Sequence, residues 1–226
     1  MPGTELFGEE EKKEVMDVMN SGVLFRFNHD AQREGHWKAK DFEKEVAQFT
    51  GAKHALAVSS GSTAVNTMLA ACGVGYGDEV IVPPFTYIAT IEAVLLAGAL
   101  PVFAEIDDTL CMSAEGIRTV LSPKTKAILL VHMCGAAADL DGIIAICKEK
   151  NIQLIEDSAQ ALGASYKGKM LGTFGLMGSF SYDFFKINTC GEGGIVITDD
   201  HELWDTAQQF ADHGHDHIGN NRGMEQ

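Results

Sequence analysis

From residue 52 to about residue 212 the chain alternates short, nearly unbroken apolar runs with stretches of helical period. AKHALAVSS, EVIVPP, LPVFAEI, KAILLVHM and NIQLIEDS read as strands. STAVNTMLAACG, TYIATIEAVLLAG and residues 113–121 and 139–150 read as the helices between them, with Gly73 and Gly98 as stops. Strands that are apolar on both sides need cover on both faces, and intervening helices join them in parallel. GSFSYDF and GGIVITDD add two closer-spaced strands, and a helix from about 200 to 212 follows. The expected fold is α/β, a mostly parallel sheet with helices on both faces.

The first fifty residues break this pattern. GEEEKKEVMDVMNSG and KDFEKEVAQFTG read as amphipathic helices, and VLFRFNHDAQREGHWK between them has no clear period. Residues 1–50 are therefore expected as a helical arm on a domain spanning 51–226. With 17 basic residues against 32 acidic ones, the formal net charge is −15. That balance argues against a nucleic-acid or anionic-membrane surface, although backbone N–H groups can still build a local anion site. Five widely spaced cysteines without a C-x-x-C pair fit reduced, mostly buried thiols. MPGTELFGEEEKKEV is too polar for a signal peptide, and Glu92 and Pro101 interrupt the most apolar run. A cytoplasmic protein that meets neither nucleic acid nor membrane is expected.

In open parallel sheets ligands bind beyond the carboxyl ends of the strands. Four stretches fall there. SSGSTAV (Ser59 to Val65) turns through Gly61 into a helix, and with Ser62 it suits a phosphate; a simple serine cap is the plainer reading. LIEDSAQALG ends an apolar strand on Asp157, with Gln160 three residues on; the carboxylate either caps the next helix or meets a cation. PPFTYIAT offers Phe85, better suited to core packing, and Tyr87, either of which can stack on a planar ligand. SYDFFKINTCGEGG carries Ser181 and a single cation, Lys186, behind two phenylalanines and before a sharp glycine turn. Phosphate site, acidic strand end, aromatic face and lysine together describe a pyridoxal phosphate pocket.

SSGST, PPFTYIAT, EDSAQALGASYKG and FSYDFFKINTCGEGG, in this order, resemble the DegT/DnrJ/EryC1/StrS family of sugar aminotransferases. PGTELFGEEEKKEV, FRFN, LVHMCG and DHGHDHIG look like the branch of that family that aminates an eight-carbon sugar acid for bacterial lipopolysaccharide, the 8-amino-3,8-dideoxy-manno-octulosonate transaminases. The resemblance implies the large domain of a fold type I pyridoxal-phosphate aminotransferase. It implies Lys186 as the covalent attachment point of the cofactor and the general base, with Phe184 and Phe185 helping to desolvate its amine. Asp157 pairs with the pyridine nitrogen, Gln160 lies near the phenolic oxygen, Tyr87 stacks on the ring, and Gly61, Ser62 and Ser181 hold the phosphate. Leu176 departs from the family, where an Asp usually follows the Phe-Gly pair. For the sugar carboxylate the candidates are Arg26 and Arg222, with His213 and His215 lining the sugar site.

The resemblance further implies glutamate as amino donor and a homodimer in a full-length parent. A related branch of sugar dehydratases has His where the lysine stands, so Lys186 favours amino transfer. Family members continue well beyond NNRGMEQ, so this chain reads as an N-terminal portion without the small C-terminal domain, and a non-catalytic chain is the remaining alternative. HGHDH groups several imidazoles, but with no fourth ligand in view no metal is expected. GVGYGDE follows a helix and precedes a strand, the reverse of a dinucleotide fingerprint, and reads as a connecting turn.

Overall fold

The computed structural model describes residues 3–27 and 29–215. The first described elements are a 3₁₀ turn, Gly3–Leu6, followed by α1 (Glu9–Ser21), the single turn α2 (Asp30–Arg33) and α3 (Lys38–Thr50). Glu11 accepts the Gly8 N–H at 2.7 Å, and three glutamates fill the first turn of α1, where the helix dipole favours negative charge. Gly22 ends α1 at φ +70 and Gly51 ends α3 at φ +78, left-handed values that glycine adopts without strain.

The strands are β1 (His54–Val58), β2 (Glu79–Val82), β3 (Leu100–Phe103), β4 (Thr125–Val131), β5 (Gln153–Asp157), the hairpin β6 (Ser165–Tyr166) and β7 (Lys169–Met170), β8 (Met177–Ser181) and β9 (Gly194–Thr198). The helices are α4 (Gly61–Ala71), α5 (Ile88–Leu96), α6 (Ala114–Val120), α7 (Leu140–Lys150) and α8 (His201–Ala211). Seven strands form one sheet in the order β1-β9-β8-β5-β4-β2-β3. Only β9 runs antiparallel to its neighbours. No helix separates it from β8, so the chain returns through a loop rather than a crossover. The β6–β7 hairpin was not expected; Tyr166 and Lys169 flank a turn in which Lys167 and Gly168 both have positive φ.

Alternation along the strands divides the core. Ala127, Leu129 and Ile155 pack with residues of α4, α5 and α8 on one face, while Ile128, Leu130 and Leu154 pack with α6 and α7 on the other. Near β1, α3 covers the second face through Val46 and Phe42 against Phe180 and Tyr182. Each fully buried aliphatic side chain in these layers contributes about 1.5–3 kcal/mol. All five cysteines are free; Cys72, Cys111 and Cys147 are buried, and Cys134 and Cys190 are exposed. Burial pushes the Cys72 thiol up to about 12 and that of Cys147 to about 11. Among the described residues, no helix is long and apolar enough to cross a membrane.

Candidate active site

Gly61, Ser62, Tyr87, Asp157, Gln160, Ser181 and Lys186 all border one cleft of about 510 Å³. It lies at the carboxyl ends of β1, β5 and β8, where the parallel strands point their last residues. A larger hollow of about 640 Å³ between α3 and β1 contains none of the seven.

Ser60 caps α4, its hydroxyl accepting the Thr63 N–H at 3.0 Å, which is the plainer of the two readings of SSGST. Behind the cap, the first turn of α4 presents N–H groups without helical partners. Two glycines compress this cradle. A Cβ on Gly61 would lie 2.7 Å from Ser181 Cβ, and one on Gly194 would lie 2.2 Å from the Ser60 carbonyl oxygen. The last glycine of GEGG therefore has a second use: it lets β9 close against the Ser60–Gly61 turn.

Asp157 ends β5 on the α4/α5 face and is buried. Its Oδ2 accepts the Thr90 hydroxyl at 2.8 Å and its Oδ1 the Ala159 N–H at 3.1 Å. Burial pushes the carboxyl above its ordinary range, while those two hydrogen bonds and then the charges of His132 and Lys186 pull it back. Such a carboxylate calls for a cationic donor in the cleft, and a protonated pyridine nitrogen answers that demand. Gln160 accepts the Cys134 N–H through Oε1 at 2.9 Å, which orients the amide and leaves Nε2 as its donor. The donor set fits pyridoxal phosphate: a helix N-terminus and hydroxyls for the phosphate, a carboxylate for the ring nitrogen, and an amine for the aldehyde.

Lys186 sits on a turn built by Asp183. The Asp183 carboxylate accepts the Phe185 N–H at 3.0 Å, and its carbonyl accepts the Lys186 N–H at 2.9 Å. From the 3₁₀ turn, Gly3 donates its N–H to the Lys186 carbonyl at 2.9 Å. This turn leaves Lys186 half-buried and swings the phenylalanines outward, Phe184 47 % and Phe185 78 % exposed. The expectation that the two rings bury the amine is corrected accordingly. Phe85 is also exposed rather than in the core, and it does not border the cleft.

Arg26 does not reach this cleft: its guanidinium pairs with Glu43 and donates to the Ala57 carbonyl at 3.1 Å. His213 and His215 follow α8 with their rings 6.2 Å apart and do not border the cleft either. Arg222, Asp216 and His217 lie outside the described residues. Among the described residues no three His, Cys, Asp or Glu side chains converge as a metal site. Leu176 points outward, and only its backbone bonds inward, its N–H to the Leu154 carbonyl at 2.8 Å.

Two groups escaped the sequence reading. Thr86 and Thr90 lie inside PPFTYIAT, where only the aromatic rings drew notice; their separation of one helical turn was the available signal. Glu156, the residue before Asp157, accepts His132 Nε2 and Gly172 N–H at 2.9 Å each and the Phe174 and Gly175 N–H groups at 2.6 Å. That carboxylate fastens the loop leading into β8.

A model of the DegT/DnrJ/EryC1/StrS aminotransferase family matches residues 6–225. UDP-N-acetyl-3-dehydro-alpha-D-glucosamine 3-aminotransferase of Acidithiobacillus ferrooxidans is 41% identical over 197 residues, 84% of this chain and 53% of that protein. GDP-perosamine synthase of Vibrio cholerae is 41% identical over 205 residues, 90% of this chain and 54% of that protein. The chain thus spans about half the length of the curated relatives it matches. Among solved structures, an aminotransferase from Psychrobacter cryohalolentis superposes with a TM-score of 0.86 at 39% identity, over 93% of this chain and 52% of that one. NtdA from Bacillus subtilis, with bound cofactor PMP, gives 0.78 at 31% identity, over 92% and 47%.

Proposed function

The chain belongs to the DegT/DnrJ/EryC1/StrS aminotransferase family, and from that premise we propose that it carries the cofactor-binding half of a pyridoxal-phosphate-dependent sugar aminotransferase. The observation that carries this reading is the meeting of Lys186, Asp157, Gln160, Tyr87 and the Ser62–Ser181 hydroxyls on one cleft. In this reading residues 51–226 hold the cofactor and residues 1–50 form the arm.

Pyridoxal phosphate, when bound, supplies an electron sink for charge developing on the amino donor's α-carbon. Lys186 Nζ would hold the cofactor through its aldehyde and, once released, would serve as the base and acid that moves the proton of the donor's α-carbon. Ionised Asp157 would keep the pyridine nitrogen protonated, since a buried carboxylate favours a cationic partner. Gly61, Ser62 and Ser181 hold the phosphate, and the Gln160 amide donates toward the phenolic oxygen. Tyr87, 68 % exposed beside the cleft, supplies a ring face for stacking.

The acceptor in this reading is an aldehyde or keto sugar, glutamate is the donor, and the compartment is the cytoplasm. The eight-carbon sugar acid rests on FRFN, LVHMCG and DHGHDHIG. Arg26, committed to Glu43, is a poor partner for its carboxylate, so another cation must meet it. A nucleotide-linked keto sugar is the second reading, favoured by the names of the UDP- and GDP-sugar relatives. A homodimer is supported by the apolar rim, where Tyr87, Ile88, Phe185 and Ile187 are each more than half exposed. Supplying the pyridoxamine-loaded protein with each acceptor in turn and weighing the products separates the readings. Amination of the octulosonate aldehyde supports the first, amination of a nucleotide-linked sugar alone the second, and amination of neither overturns both.

A further inference from the structure

A row of two hydroxyls leads from the cleft wall to Asp157. Thr90, fully buried in the first turn of α5, donates to Oδ2 at 2.8 Å. Thr86, four residues earlier and bordering the cleft, places its hydroxyl 2.9 Å from that of Thr90. Each hydroxyl carries one hydrogen. While Asp157 is ionised, Thr90 donates to it and Thr86 donates to Thr90. If Asp157 takes a proton, the row reverses, and Thr86 turns to the Tyr87 carbonyl, 3.3 Å away. That carbonyl already accepts the Thr90 N–H at 3.1 Å. Both arrangements keep the 2.8 and 2.9 Å contacts, but only in the ionised one is the bond to Asp157 charge-assisted and reinforced by the next; the reversed row gains only a long bond to an acceptor already in use. It also sets the carboxylate beside the N-terminal turn of α5, where the dipole favours negative charge.

Other groups face this carboxylate. The Ala159 N–H holds Oδ1, His132 approaches from the end of β4 while bonded to Glu156, and Lys186 lies across the cleft. Among the described residues, Thr90 is the group bonded to Oδ2.

Resting on the aminotransferase reading, we propose that Thr90 is the positioning residue for Asp157: with Thr86 behind it, its hydroxyl fixes the carboxylate's orientation and charge for the pyridine nitrogen. The same turn of α5 carries Tyr87 as its cap, so one helix start sets both the ring face and the carboxylate beneath it.

The test compares Thr90→Val, which deletes the hydroxyl at nearly constant shape, with Thr90→Ser, which keeps it. Carbon-13 NMR of the aspartate carboxyls reads Asp157 in the cofactor-free chain, and absorbance titration reads pyridoxal phosphate affinity. For Thr90→Val the Asp157 titration is expected to move up by about one pH unit, and cofactor binding to weaken about tenfold. Thr90→Ser should stay within about threefold of wild type, on the same scale. In an Asp157→Asn background the affinity loss from Thr90→Val should vanish. An unchanged titration and affinity, or a loss that persists in the Asn background, overturns the proposal. Should Thr90→Val fail to fold, Thr86→Val is expected to give a smaller shift in the same direction, and no shift there overturns the proposal equally. If the wild-type chain binds no pyridoxal phosphate, the aminotransferase reading falls by itself, while the carbon-13 titration still decides whether Thr90 holds Asp157.

Discussion

Glu156 and Asp157 are consecutive on β5 and face opposite layers of the molecule. Asp157 lies on the α4/α5 face at the cleft, and Glu156, on the α6/α7 face, accepts four hydrogen bonds from His132 and the loop at 172–175. One strand end thus carries a carboxylate for the site and another that fixes the structure around it.

Asp157 gives a pH dependence with a definite sign. Its folded-state carboxyl titrates above its ordinary value because it is buried. Between those two values the folded chain keeps a proton that the unfolded chain has lost, so stability falls as pH rises through that window. Urea unfolding at a series of pH values should show this fall in the cofactor-free wild type and not in Asp157→Asn. Saturating pyridoxal phosphate should flatten it, because the ring nitrogen then pairs with the ionised form. A wild type whose stability follows that of Asp157→Asn at every pH contradicts the assignment.

Glu156→Ala leaves three N–H donors and the His132 ring without their acceptor in a dry interior. A loss of about 3–5 kcal/mol is expected. Glu156→Gln keeps the shape but turns an NH₂ toward groups that donate, so it should fall between Ala and wild type. Urea midpoints of the three proteins check the order.

The two compressed glycines separate binding from packing. Gly194→Ala drives a Cβ into the Ser60 carbonyl, and Gly61→Ala drives one into Ser181. Each should cost about 1–3 kcal/mol and weaken pyridoxal phosphate binding, because the cradle must open. Gly75→Ala, where an added Cβ meets nothing within 4 Å, is the control and should leave affinity unchanged. Equal affinities for all three variants contradict the cradle.

The alternation of apolar runs and helical periods made the sheet and its two covered layers legible, because that pattern is set by local burial. β9 as the antiparallel member was less so, since direction depends on the link between strands rather than on their composition. The clustering of Lys186, Asp157, Gln160 and Ser181 followed from their shared place at strand ends. Arg26 was misleading because an arginine in an irregular stretch gives no sign of its partner, and Glu43 is 17 residues away. The exposure of Phe184 and Phe185 depends on the Asp183 turn, and composition alone pointed the other way. Thr90 and Glu156 went unread because each has an ordinary helix or strand role that hides a side-chain contact made across the fold.

The most direct measurement is the visible absorption spectrum of this chain with pyridoxal phosphate, with and without glutamate, beside Lys186→Ala. The account predicts a band that requires Lys186, is lost in the variant, and converts when glutamate is added. A spectrum identical in wild type and Lys186→Ala would contradict the central claim that this cleft holds the cofactor through Lys186.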